Sequence, residues 1–80
     1  MGKDPVQEYL KKFGENLKKI RTVKGLSQRG LASLCSIDHS DISKMEKGGI
    51  NITILTVREL ASALEVKPRK LLDFDTELTT

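Results

Sequence analysis

The sequence predicts an all-α domain of five short helices, and three observations carry that prediction. Apolar residues recur at three- and four-residue spacing through the longer segments. Each segment opens on a capping residue or a proline, and two of them close on a glycine. The chain has 80 residues, enough for one small core and no second domain.

Asp4-Pro5 opens the first helix, with aspartate at the N-cap and proline at the first helical position. Val6, Leu10, Phe13, Leu17 and Ile20 then share a face, giving a helix over 5–24 that Gly25 stops. Gly14 interrupts it at a cost of about 1 kcal/mol relative to alanine, and residues 1–12 read as an added turn or two, either kinked there or forming an interface. Ser27 caps a second helix from Gln28 to Cys35, with Leu31, Ala32 and Cys35 facing inward. Ala32 is small enough for two helices to cross closely. Ser36-Ile37 breaks the chain, and Ile37 is the apolar plug of the turn. Asp38 caps a third helix, His39 to Lys47, with Ile42 and Met45 inward and Gly48 as a left-handed stop. Thr53 caps a fourth helix over 54–64, whose inner face is Ile54, Val57, Leu60, Ala61 and Leu64. Pro68 starts a last helix to Leu72, and residues 75–80 read as a flexible tail.

Composition narrows the function classes. No apolar run approaches the roughly 18 residues of a membrane span, and no signal-peptide segment opens the chain. One cysteine forms no internal disulfide, which fits a reducing cytoplasm, and Cys35 reads as a small buried hydrophobe. Cys35 and His39 alone make no metal site, and no cofactor motif is present. No nucleophile is paired with a base and an orienting group, so an enzyme is not expected. Net charge is +3. The basic excess lies in residues 1–47, with ten Lys/Arg against six Asp/Glu, whereas residues 48–80 carry four against five. Asp73, Asp75 and Glu77 sit in the tail, away from any polyanion bound at the other end.

Ser27 to Gly48 has the layout of a helix-turn-helix, in which the second helix enters the DNA major groove and the first lies across the backbone. From Phe13 to Leu72 the chain resembles the lambdoid phage repressor/Cro and XRE-type helix-turn-helix regulators. The resemblance rests on IRTVKGLSQRGLASLCSIDHSDISKMEKG followed by ILTVRELASALEV, and on the GLSQ…LA…IS…ME.G string within it. It implies a lambda repressor-like DNA-binding domain over 13–74, with residues 1–12 an added extension of helix 1. Glu65 stands where the family usually places glycine. A left-handed non-glycine costs about 1 kcal/mol, so an irregular helix end is expected there.

The first turn of the reading helix offers Asp38, His39 and Ser40 to base edges, with Ser43 and Lys44 one turn later. By resemblance, His39, Ser40 and Lys44 match the main base-contacting positions. The acids are a departure: Asp38 is read as a cap set against the helix N-terminus. Asp41 either closes a capping arrangement or accepts from a cytosine amino group. Gln28, at a helix N-terminus, is placed to bond a phosphate; the resemblance also has it brace His39. Ser27 and Asn51 match further phosphate-contact positions and Thr53 adds another, with capping or loop roles as the competing reading. The resemblance pairs Arg21 with Glu46 in a structural bridge that also sets the guanidinium beside a phosphate.

A reader this short spans four to six base pairs, so specificity calls for a homodimer on a palindromic operator of double-stranded DNA. The resemblance places the dimer interface at Leu71, Leu72, Phe74 and Leu78, although Leu71 and Phe74 are equally suited to closing the monomer core. The expected function is a cytoplasmic, prokaryotic transcriptional regulator that occludes or recruits RNA polymerase. The alternative is a helix-turn-helix adaptor that binds protein and not DNA.

Overall fold

A computed structural model describes residues 5–75 of the chain. The expected Asp4 cap, most of the expected tail and Leu78 lie outside the described residues. Five helices follow in order: α1 (Pro5–Val23), α2 (Gln28–Ala32), α3 (His39–Glu46), α4 (Ile54–Leu64) and α5 (Pro68–Leu71). α1 packs on α3 and α5, α2 on α3, and α4 on α5. Their shared interior holds Phe13, Leu17 and Ile20 from α1, Leu31 from α2, Ile42 and Met45 from α3, Val57, Leu60, Ala61 and Leu64 from α4, and Leu71 from α5. Most of the spaced apolar residues of the sequence are here, the larger side chains removed from water at roughly 1.5–3 kcal/mol apiece.

Three helix ends close in the same way. At α1, Gly25 N–H donates to the Thr22 carbonyl (2.9 Å) and Leu26 N–H to the Arg21 carbonyl (3.1 Å), with Gly25 at φ 78°. At α3, Gly48 and Gly49 repeat the pattern onto Met45 and Lys44. At α4, Glu65 and Val66 do so onto Ser62 and Ala61, with Glu65 left-handed at φ 59°, ψ 43°. The expected irregular end is therefore a regular Schellman closure. The half-buried Val66 packs on the core and helps to offset the cost of a side chain in the left-handed well.

Four expectations are corrected. α1 runs unbroken through Gly14, because that glycine serves a crossing and not a kink. A Cβ built on Gly14 would lie 2.5 Å from the Glu46 carbonyl oxygen and closer still to that of Met45. α2 ends at Ala32 and not Cys35. Tighter i→i+3 bonds from Leu34 to Leu31 and from Cys35 to Ala32 unwind its end, and the Ser33 hydroxyl donates to the Gly30 carbonyl at 2.7 Å. Cys35 is accordingly half-buried, its thiol donating to the Leu31 carbonyl. Ile54 is 73% exposed: the Cα–Cβ bond tilts toward the helix N-terminus, and at the first helical position this aims the side chain off the end of α4.

Two long-range ties fix α5 to α1. The Asn16 amide donates to the carbonyls of Lys70 and Leu71, each at 2.9 Å, and so caps the last turn of α5. Tyr9 and Phe74 set their rings 5.2 Å apart at 58°, a tilted geometry favoured by ring quadrupoles. The N-terminal extension thus covers the chain beyond α5.

Candidate nucleic-acid interface

α3 divides cleanly into two faces. Ile42, Met45 and Glu46 are buried, while Ser40, Lys44 and Lys47 are exposed at i, i+4, i+7. His39, Asp41 and Ser43 flank that strip, half-buried. Asp38 stands exposed just ahead of the helix. The five residues expected at base edges therefore lie at the open side and leading end of α3, where Lys44 supplies the cation.

The inner face is anchored by a buried ion pair. Arg21 Nε donates to Glu46 Oε2 at 2.6 Å and its Nη2 to Oε1 at 3.0 Å, a two-point fork. Arg21 Nη1 donates to the Leu26 carbonyl at 2.7 Å, fastening the α1–α2 turn to the same group. Hydrogen bonding to Glu46 holds the guanidinium above its ordinary range, against the opposing effect of burial. The structural half of the expected Arg21 role is thus built in. Only 7% of the residue remains exposed for a phosphate.

Gln28 joins this cluster, and here the expected brace is corrected. Its Nε2 donates to Glu46 Oε1 at 3.0 Å, in the last turn of α3 and not to His39 in the first. Glu46 reaches α2 because it points inward where the two helices meet. Gln28 is half-buried at the start of α2.

The caps also sort themselves. Ser27 Oγ accepts from Gly30 N–H at 2.9 Å, and Thr53 Oγ1 accepts from Thr56 N–H at 3.2 Å. Both keep exposed positions beside helix N-termini. Asn51 Oδ1 accepts from Ile52 N–H at 3.0 Å, which leaves its amide N–H groups without a partner among the described residues. Asp38 occupies the N-cap position as expected, but its side chain makes no capping hydrogen bond. Its carboxylate instead accepts from the Ser40 hydroxyl, which holds the Asp38 carboxyl below the usual carboxylate range. Asp41 closes no capping arrangement among the described residues; its N–H and that of Ile42 donate to the Asp38 carbonyl at 3.0 and 3.1 Å.

Sequence reasoning missed Glu59. From α4 its Oε2 accepts both the Ser36 N–H (2.6 Å) and the Ser36 hydroxyl (2.5 Å), clamping the turn between α2 and α3. These bonds lower the Glu59 pKa, and nothing in the local sequence links two residues 23 apart. A carboxyl depressed in the folded state stabilises the fold above its unfolded value and loses that contribution as pH falls through the folded value. Wild type is therefore expected to melt above Glu59→Gln at neutral pH. The gap should close below about pH 4.5, the ordinary glutamate value. Thermal melts of both proteins along one pH series check this, and a gap independent of pH would show that the carboxylate contributes nothing.

At the C-terminal end, Leu71 is fully buried in the core of its own chain and has no surface to offer a second copy. Phe74 is half-buried against Tyr9. Leu72 is 41% exposed and lines a shallow groove with Val66, Lys67, Arg69, Lys70 and Asp73. Of the expected interface residues within the described range, Leu72 alone presents an open apolar surface.

A model of the helix-turn-helix family HTH_3 matches residues 17–71, from the middle of α1 to the end of α5. The chain belongs to this helix-turn-helix family. It is 37% identical over 65 residues to the control protein C.BamHI of Bacillus amyloliquefaciens, a match covering 80% of each chain. Among solved structures it is similar to the restriction-modification controller protein C.AhdI from Aeromonas hydrophila. That superposition has a TM-score of 0.76 and 44% identity, covering 78% of this chain and 94% of the other. A single-substitution variant of the controller C.Esp1396I superposes at a TM-score of 0.75 and 32% identity, covering 81% and 82%. As an XRE-type helix-turn-helix protein, the chain is of the DNA-binding, transcription-regulating class, and its relatives are regulators and not enzymes. No helix among the described residues is long and apolar enough to cross a membrane.

Proposed function

We propose that the protein is a sequence-specific regulator of transcription that binds a palindromic operator as a homodimer and reads the major groove with α3. The observation that carries this reading is the exposed strip Ser40, Lys44 and Lys47 on a helix whose opposite face is locked by Arg21, Glu46 and Gln28. A rigidly seated helix with a polar outer face suits base readout, which depends on fixed donor and acceptor positions. Ser27, Gln28, Asn51 and Thr53 would hold phosphates on either side. One copy reads only four to six base pairs, so a second is needed for useful specificity, and Leu72 on the α5 groove is where it would dock. Likeness to restriction-modification controllers along most of their length suggests control of such a gene pair, by occluding or recruiting RNA polymerase.

Selection of bound duplexes from a random library tests this, with the triple variant His39→Ala/Ser40→Ala/Lys44→Ala alongside. A palindrome enriched by wild type alone is the expected result, with affinity falling on the order of 10³-fold between 50 and 200 mM salt. No enrichment by the folded wild type at low salt would point instead to an adaptor that binds protein. Lys44→Ala should cost roughly 1–3 kcal/mol on the selected site and relax preference at one base pair of each half-site. Equal weakening on every duplex, measured by competition binding, would assign Lys44 to a phosphate.

A further inference from the structure

Resting on the DNA-binding reading above, we infer that Asp38 is a positioning residue that sets the hydrogen-bond polarity of the reading head. It makes Ser40 an acceptor and aims it at the exocyclic amino group of adenine or cytosine. A serine hydroxyl carries one hydrogen and two lone pairs, and alone it serves either kind of base edge. Here that freedom is removed. The hydroxyl of Ser40 donates to Asp38 Oδ2, and an ionised carboxylate has only acceptors, so the hydrogen bond runs one way. The same bond lowers the pKa of the carboxyl, which favours its ionised form. What Ser40 presents outward is therefore its lone pairs.

The neighbouring groups agree. Asp38 is itself exposed and can only accept. His39 Nδ1 lies 3.8 Å from Asp38 Oδ1, beside the same acidic leading end of the helix. In the major groove the amino donors are adenine N6 and cytosine N4, whereas guanine O6 and N7 and thymine O4 only accept. Lys44, one helical turn further along the same strip, carries donors only and suits guanine. The head is thus divided along α3: acceptors at its leading end, a donor one turn on. An acidic residue at the front of a DNA-reading helix acquires a purpose other than repulsion.

The test uses the selected operator with single functional groups deleted. Purine in place of adenine, or 2-pyrimidinone in place of cytosine, removes the amino group, and 7-deazaguanine removes N7. Wild type, Ser40→Ala and Asp38→Asn are titrated on each duplex, with circular dichroism to confirm their fold. One amino deletion per half-site is expected to weaken wild type about tenfold and to have little further effect on Ser40→Ala. In Asp38→Asn the asparagine amide can donate to Ser40 and release its hydroxyl hydrogen, so the same deletion should lose most of its effect there. Two outcomes overturn the inference. If Ser40 couples to an N7 deletion, or to no deletion, the assigned polarity is wrong while the operator reading stands. If wild type enriches no sequence at all, the operator reading fails and takes the polarity with it.

Discussion

Glu46→Ala is expected to destabilise the domain by about 3–5 kcal/mol, the usual cost of stranding one member of a buried ion pair. Arg21 would keep only its bond to the Leu26 carbonyl and would sit, 7% exposed, with its charge otherwise unanswered. Gln28 would lose the acceptor of its side chain at the same time. Domains of this length hold roughly 0.05–0.15 kcal/mol per residue in reserve, so the variant should approach half-unfolding well below the wild-type midpoint. At about 4–8 °C per kcal/mol, the melt should move by more than roughly 12 °C. A double replacement, Arg21→Met with Glu46→Leu, should recover much of the loss, because an apolar pair of similar volume is often as stable as the ion pair it replaces. Calorimetry of the three proteins decides the matter. A wild-type melt for Glu46→Ala would mean that the network contributes nothing.

Gly14→Ala is the second large effect, and its sign runs against helix propensity. Alanine in the middle of α1 should gain about 1 kcal/mol over glycine. The added methyl, however, would meet the backbone carbonyls of Met45 and Glu46, with the Glu46 carbonyl carbon at 2.7 Å. Backbone cannot rotate away as a side chain tip can, so α1 and α3 must separate. That separation strains the Arg21–Glu46 fork, which spans the same crossing. Overpacking of this kind costs about 1–3 kcal/mol and sometimes more, which outweighs the propensity gain. A lowered denaturation midpoint with weakened operator binding is the expected result. An exposed control in the same helix, such as Lys18→Ala, should leave both unchanged. A midpoint raised by Gly14→Ala would mean that the helices part at no cost.

The predicted core is largely the observed one, and α4 begins and ends where its capping threonine and apolar spacing place it. The exposed strip of α3 was legible too, since Ile42 and Met45 fix the buried side and put Ser40 and Lys44 opposite. The misplacements have a common form. Ile54 was assigned inward by spacing alone, but spacing says nothing of whether a neighbour covers that turn. Gly14 looked like a weak point because a sequence shows the cost of a glycine without showing the backbone that needs the space. Leu71 and Leu72 are adjacent and chemically identical, yet one lies at the centre of the core and the other at its edge.

What the sequence determined by itself was the set of helices, their starts and most of their apolar faces. Those depend on caps, glycines and side chains within a few residues of one another, and such interactions act before the helices meet. The tertiary structure alone decided the partners: Gln28 with Glu46, Glu59 with the Ser36 turn, and Asn16 with the end of α5. The Asp38–Ser40 bond is local in sequence, yet it too was settled only in the fold. A short polar side chain at a helix start has several bonds of similar energy within reach, and the geometry of the formed turn selects among them. Across 18 to 55 residues the choice is wider still. There the crossing of packed helices decides which donor finds which acceptor.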